Sequence, residues 1–264
     1  MKIDFIIKKD FRKFKEGDKF CLDIVPNEIL YVAAPNRFGK TTLLNGLRGL
    51  KDSLAETNKY DFDGMTSSAR ELAYLECGAC MDISGYDYDE AFFMEVITDD
   101  PTSFENSATA GGLVGGGGFF TQKMSKGEKA IYLIAKIKDR ITKYLNKKYG
   151  SVEEWKTSGK TGLIVLDEID DGLDPFFQTR YNELIFNQFV KGFNLDVVVV
   201  SHSLICPLGK TKFKDCSVKV YNMQFHIKLT PKEHFEIESG FIIKEENGND
   251  DVEKPLIKEG KKEN

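Results

Sequence analysis

The sequence predicts an α/β fold, a mostly parallel sheet covered by helices on both faces. Two observations carry that prediction. Segments 28–34, 162–166 and 196–200 are apolar almost without a break, as strands buried on both sides are and edge strands are not. Alternating with them are segments 40–50, 125–145 and 176–193, whose apolar residues recur at helical spacing.

The elements follow in order. Lys2–Lys8 alternates, with Ile3, Phe5 and Ile7 on one face, and Lys19–Val25 alternates likewise before a Pro26-Asn27 turn. Glu28–Ala34 is the first buried strand; it ends in a loop, and a helix from near Lys40 carries Leu43, Leu44, Leu47 and Leu50 on one stripe. Residues 51–109 hold no sustained period and read as short strands and helices of a subdomain. Six glycines within Gly111–Gly118 predict a flexible loop. The helix from Ser125 to about Leu145 has Ile131, Leu133, Ile134, Ile137 and Ile141 as its apolar face. Gly162–Leu166 is a strand, Phe176–Phe193 a helix, and Asp196–Val200 a valine-rich strand. His226 and His234 fall in predicted C-terminal strands, with no chemical role. Glu245–Asn264 holds 11 charged residues and three aliphatic ones, the composition of a solvated, disordered tail.

Hydrophobic residues at 41% and charged residues at 30% of 264 suit a soluble globular chain. The longest apolar-plus-glycine run, Ala110–Phe120, falls well short of the ~20 residues a spanning helix needs. With no secretory signal after Met1, the expectation is a cytoplasmic protein without direct membrane insertion. A net charge of -5 gives nucleic-acid binding no support, although local basic patches stay open. Five cysteines make an odd count for a disulfide framework. Cys77 and Cys80 form a C-x-x-C pair, but Cys206 and Cys216 lack zinc-ribbon spacing, so buried free thiols are expected rather than a zinc site.

Two segments carry chemistry. Ala34-Pro-Asn-Arg-Phe-Gly-Lys-Thr41 lies between a buried strand and a helix, where backbone N–H groups and the helix dipole can cradle a polyphosphate. Lys40 would reach the β- and γ-phosphates and Thr41 would offer its hydroxyl to Mg²⁺; Ala34 replaces the usual first glycine at the cost of one methyl. The plain alternative is a strand–loop–helix turn with a chance Gly-Lys-Thr. Four aliphatic residues then deliver Asp167 and Glu168 to a strand end. Their alternating directions would let Asp167 hold a metal through its water shell while Glu168 orients or deprotonates water; the alternative is a strand ending in solvated acids.

At this point the chain resembles the ATP-binding cassette (ABC) ATPases, from about Phe20 to His202. Pro26 to Leu50 is similar to the family's strand, Walker A loop and helix, and Met124-Ser-Lys-Gly-Glu128 to its signature LSGGQ. Asp167-Glu168 falls at Walker B, Gly172-Leu-Asp174 at the D-loop, and His202, after four valines, at the switch histidine. The resemblance implies a P-loop fold of ABC type with antiparallel N-terminal strands and a small inserted subdomain. It would be one domain over 1–244, with 51–124 leading to the signature and 245–264 as tail. The implied nucleotide ligands are Ala34, Asn36, Arg37, Gly39, Lys40, Thr41 and Thr42, with Ser125, Gly127, Glu128 and Asp174 contributed across a head-to-tail homodimer. Thr41 and Asp167 would hold Mg²⁺, Glu168 would prepare the attacking water, and His202 would contact the γ-phosphate of ATP.

Departures narrow the class. No glutamine occurs between Thr42 and Thr121, so the Q-loop position falls on Cys77, beside Glu76. Arg37 replaces a small loop residue, either solvated or adding charge near the γ-phosphate; adenine stacking could fall to Phe11 or Phe14, the alternative for either ring being packing in the core. Ser-Lys-Gly-Glu-Lys is closer to the chromosome-maintenance, DNA-repair and defence ATPases than to transporters, yet no heptad array separates Thr41 from Ser125. The expectation is a stand-alone ATPase that gates or drives a partner complex. The alternatives are a transporter's ATP-binding subunit and a slow or non-hydrolysing ATP sensor.

Overall fold

The computed structural model describes residues 1–35, 37–48, 76–95, 126–168, 173 and 175–246. The glycine-rich run, Leu50 and the tail beyond Glu246 lie outside them, as do Asn36, Ser125 and Asp174. The first strands are β1 (Lys2–Ile7), β2 (Lys19–Asp23) and β3 (Glu28–Ala33), followed by helix α1 (Lys40–Arg48). Strands β4 (Met81–Ser84) and β5 (Glu90–Glu95) precede helices α2 (Lys126–Tyr149) and α3 (Val152–Thr157). After β6 (Gly162–Asp167), helix α4 (Pro175–Ile185) runs into a π-helical turn, Phe186–Lys191, where the sequence predicts one continuous helix. The chain ends in β7 (Leu195–Val200), a 3₁₀ turn (Cys206–Leu208), β8 (Ser217–Asn222), β9 (Ile227–Leu229) and α5 (Pro231–Glu246).

The expected α/β architecture is present: a six-stranded sheet in the order β5-β6-β7-β3-β8-β9, parallel at every pairing except β8 with β9. The N-terminal strands form a second, antiparallel sheet, β2-β1-β4. Within the stretch read as a subdomain, β4 joins the small sheet and β5 the large one. In β5, Glu90-Ala-Phe-Phe-Met-Glu95, the sequence shows no alternation because both faces are covered.

Strand geometry divides the core in two. Ile29, Tyr31, Ile164, Leu166, Val197 and Val199 project to one side, where Ile134, Ile137 and Ile141 of α2 and Tyr181 and Ile185 of α4 meet them. Leu30, Val32, Leu163, Val165, Val198 and Val200 project to the other, against Leu43, Leu44 and Leu47 of α1 and Ile3, Phe5 and Leu22 of the small sheet. Buried on both faces, these strands show continuous apolar sequence instead of alternation. No helix among the described residues is long and apolar enough to cross a membrane.

The two C-terminal histidines lie elsewhere than predicted. His226 occupies the turn between β8 and β9 with φ 56°, and His234 is buried in the first turns of α5. A capping box overrides the strand-like composition there: Thr230 Oγ1 accepts from Glu233 N at 3.3 Å, Glu233 Oε2 accepts from Thr230 N at 2.7 Å, and Pro231 holds the first helical position.

A buried amide ties three elements together. Asn182 of α4 accepts from the Tyr31 hydroxyl of β3 at 2.6 Å and donates to the carbonyls of Cys206 and Gly209, each at 2.9 Å. These contacts fix the segment that follows β7. We expect Asn182→Leu, similar in volume, to lower stability by about 3 kcal/mol by leaving buried partners unsatisfied, read as a lower urea midpoint with an unchanged slope.

Candidate functional site

The site lies at the carboxyl edge of the parallel sheet, where crevices form at strand ends. Register places it: Val200 is the Cα partner of both Val32 and Asp167, so three strands end in one row. The loop after β3, the acids ending β6 and the histidine after β7 therefore emerge side by side. The Glu168 amide donates to the Val200 carbonyl at 2.9 Å, locking the last two together.

At the centre is Lys40, buried to 4% exposure. Its Nζ donates to the Ala34 carbonyl at 2.8 Å and stands 3.3 Å from Nδ1 of His202; Nε2 of His202 lies 2.8 Å from Oε1 of Glu168. An ammonium only donates. His202 Nδ1 is therefore the acceptor, and Nε2–H donates to the Glu168 carboxylate. Burial pushes the Lys40 ammonium below its ordinary value, while the charges of Glu168, Asp167 and Glu238 pull it back.

Asp167 is the last residue of β6 and Glu168 the first beyond it. Asp167 is buried within the row, whereas Glu168 is half-exposed and takes the left-handed backbone (φ 54°) that turns its carboxylate onto His202. The turn presenting His202 is itself held. Ser203 Oγ accepts from the amides of Ile205 and Cys206 at 3.1 Å and donates to Gln178 of α4 at 2.9 Å.

Around this line lies a cleft of about 250 Å³ lined by Arg12, Lys13, Arg37, Gly39, Lys40, Thr41, Thr42, Glu168 and His202. Four cations face it, a charge balance suited to a polyphosphate anion. A cleft of about 430 Å³ opens along α4, between Arg180, Glu183, Asn187 and Phe213, but no motif residue reaches it and its Lys212 is already paired with Glu183 at 3.3 Å. The smaller cleft is the candidate site on chemical grounds.

Ala34, Arg37, Gly39, Lys40, Thr41, Thr42, Glu168 and His202 are thus brought together, with Asp167 close enough to act on Lys40. Arg37 is exposed with φ 63°, facing the cleft. Gly127 and Glu128 stand in the first turn of α2, and Asn36, Ser125 and Asp174 lie outside the described residues. Thr41 and Asp167 offer a hydroxyl and a carboxylate, the hard oxygen donors that Mg²⁺ takes alongside phosphate oxygens. Their chemistry fits that ion.

The N-terminal turn corrects the adenine-stacking expectation. Phe14 is buried at 2% and pressed on the phosphate loop, where a Cβ on Gly39 (φ 108°) would lie 2.6 Å from its ring. Phe11 does not line the cleft either; its ring lies under the Arg12 guanidinium, 5.2 Å away. What reaches the cleft are the cations between the two rings, Arg12, which donates to Thr42 Oγ1 at 2.9 Å, and Lys13. Sequence reasoning singled out the aromatics and passed over Arg12-Lys13. Cys77, which the resemblance puts at the Q-loop position, is fully buried off the cleft, and burial pushes its thiol up.

No family model and no curated protein matches the chain. Among solved structures, cbiO1 from Clostridium perfringens, described as part of the ABC transporter complex cbiONQ, is similar at 15% identity and a TM-score of 0.39, covering 93% of this chain and 94% of that one. That level of similarity assigns no activity to this chain.

The cleft's charge makes a direct prediction. Inorganic tripolyphosphate should bind the chain, Lys40→Ala should weaken it by at least about a hundredfold, and Arg12→Ala by about tenfold, or about 1.4 kcal/mol. Calorimetric titration measures all three, and unchanged affinity in Lys40→Ala would remove the lysine from the site.

Proposed function

We propose that the chain is an ABC-type ATPase that binds Mg·ATP in this cleft and closes as a head-to-tail homodimer, hydrolysing ATP to gate or drive a partner complex. One observation carries the reading: Lys40, His202 and Glu168 form a hydrogen-bonded line along the carboxyl edge of a parallel sheet, beside a phosphate loop. A chance Gly-Lys-Thr would have no reason to meet both other motifs there.

In this reading, entering phosphates replace the Ala34 carbonyl and His202 as partners of Lys40, so that an internal hydrogen-bond set is exchanged for a charge-assisted one. His202, released from Lys40, turns its Nε2–H from Glu168 to the γ-phosphate, which leaves the Glu168 carboxylate free to accept a proton from water. Thr41 and Asp167 would hold Mg²⁺, which would supply positive charge to offset that of the phosphates. Arg12, through Thr42, and Arg37 add positive charge at the cleft wall. Ser125, Gly127, Glu128 and Asp174 complete the site from the partner subunit, Asn36 lies in the loop around the phosphates, and the effector is a separate protein.

The slow-sensor reading has one specific support, the burial of Cys77, which leaves the Q-loop position without a side chain reaching the cleft. Glu168→Gln tests both. It keeps side-chain volume and removes the base, so hydrolysis should fall by at least about a hundredfold while ATP still binds. With Mg·ATP the mutant should run as a dimer, by light scattering, at concentrations where the wild type with ADP is monomeric; Ser125→Arg should abolish that dimer. Hydrolysis at the wild-type rate would exclude Glu168 from the mechanism, and ATP binding without closure would favour the sensor.

A further inference from the structure

Four of the seven large apolar side chains left exposed among the described residues sit on two elements that touch. Phe176 and Phe177 open α4, and Ile205 and Leu208 bound the 3₁₀ turn after β7. The approach is close: a Cβ on Gly209 would lie 2.8 Å from the Thr179 carbonyl oxygen. Phe176, Arg180, Leu184 and Asn187 recur at helical spacing and so share one stripe of α4 and the π-helical turn. Arg180, Leu184 and Asn187 line the cleft of about 430 Å³, and Lys212 and Phe213 form its other wall. The Arg180 guanidinium lies over Phe176, 4.4 Å from the ring centre, which joins the apolar patch to the cleft.

Positive charge gathers on the same face. Lys210, Lys212 and Lys214 alternate along the segment that follows the turn, and all three are exposed. Glu183 is paired with Lys212 at 3.3 Å and Asp215 with Lys191. Arg180, Lys210 and Lys214 have no carboxylate partner among the described residues. On a chain of net charge -5 this is a local excess of cations, and none of them belongs to the Lys40 cleft.

We propose that this groove docks an acidic segment of a partner protein: one apolar side chain enters between Leu184 and Phe213, and flanking carboxylates meet Arg180, Lys210 and Lys214. Aromatic and arginine side chains carry much of the binding energy at protein interfaces. An apolar floor rimmed by cations is complementary to an apolar anchor rimmed by acids. Half-buried Leu184 and Phe213 supply the floor, with the Phe213 ring resting on Phe186 at 5.1 Å. Single-stranded nucleic acid fits less well, because base stacking needs open ring faces. Here Phe176 is engaged by Arg180 on a face and by Phe177 in a T-shaped contact, and Phe213 is engaged by Phe186. The inference does not require the nucleotide reading.

Fluorescein-labelled peptides rich in glutamate around a central tryptophan, phenylalanine or leucine, titrated against the full chain by anisotropy, should bind, and added salt should weaken them. Saturating tripolyphosphate should leave that binding in place, because it occupies the Lys40 cleft and not the groove. Arg180→Glu and Lys214→Glu, both at exposed positions, should each weaken the peptides by about three- to tenfold. Glycine at the peptide's centre should cost about tenfold or more. Each variant should keep the wild-type thermal midpoint and tripolyphosphate affinity. No binding by any of the peptides, equal binding by their glutamine-for-glutamate versions, unchanged binding in both variants, or displacement by tripolyphosphate would overturn the proposal. Two further outcomes overturn it by naming another occupant. A labelled oligothymidylate that binds more tightly than the peptides and is lost in Arg180→Glu makes the groove a nucleic-acid site. Nucleotide-free light scattering that shows a dimer dispersed by Arg180→Glu makes it a contact between copies of this chain.

Discussion

Parallel pairing of β3 with β7 and β7 with β6 is the constraint on which the rest depends. Parallel strands point their carboxyl ends the same way, and the shared partner Val200 aligns Val32 with Asp167. Three loops far apart in sequence thereby start from one line. The register is secured by burial, because a one-residue slip would exchange the two core faces of every strand. Leu30, Val32, Leu163, Val165, Val198 and Val200 would then lose α1 and the small sheet that cover them.

On that edge the difficulty is electrostatic. Lys40 is nearly withdrawn from water, and the protein meets its charge with loop carbonyls, His202 and three carboxylates. Such an arrangement suits an anion-binding site better than a structural ion pair, since removing water strengthens every later contact to phosphate.

Supporting contacts explain why the line is narrow. Asn182 and Ser203 hold the turn after β7 from both sides, so His202 cannot drift from Lys40 without breaking bonds made to buried carbonyls and amides. Phe14 does the same for the phosphate loop by filling the space above Gly39. An aromatic ring that appears in sequence as a free stacking surface is thus consumed by packing, and the cations beside it face the cleft instead.

By itself the sequence determined the fold class, the order of the central elements and most of the residues that line the Lys40 cleft. These rest on local signals: continuous apolar runs for doubly covered strands, helical spacing in α1 and α2, and Gly39-Lys40-Thr41 at a strand–helix junction. Only the tertiary structure decided the membership of β4 and β5 in the two sheets, the packing of Phe14 on Gly39, and the entry of Arg12 and Lys13 into the cleft. Local patterns report which way a segment folds, whereas a charge or ring acquires its role from what lies across space. Arg12 meets Thr42, thirty residues on, because the turn between β1 and β2 folds over the start of α1, an event that leaves no mark in the residues around position 12.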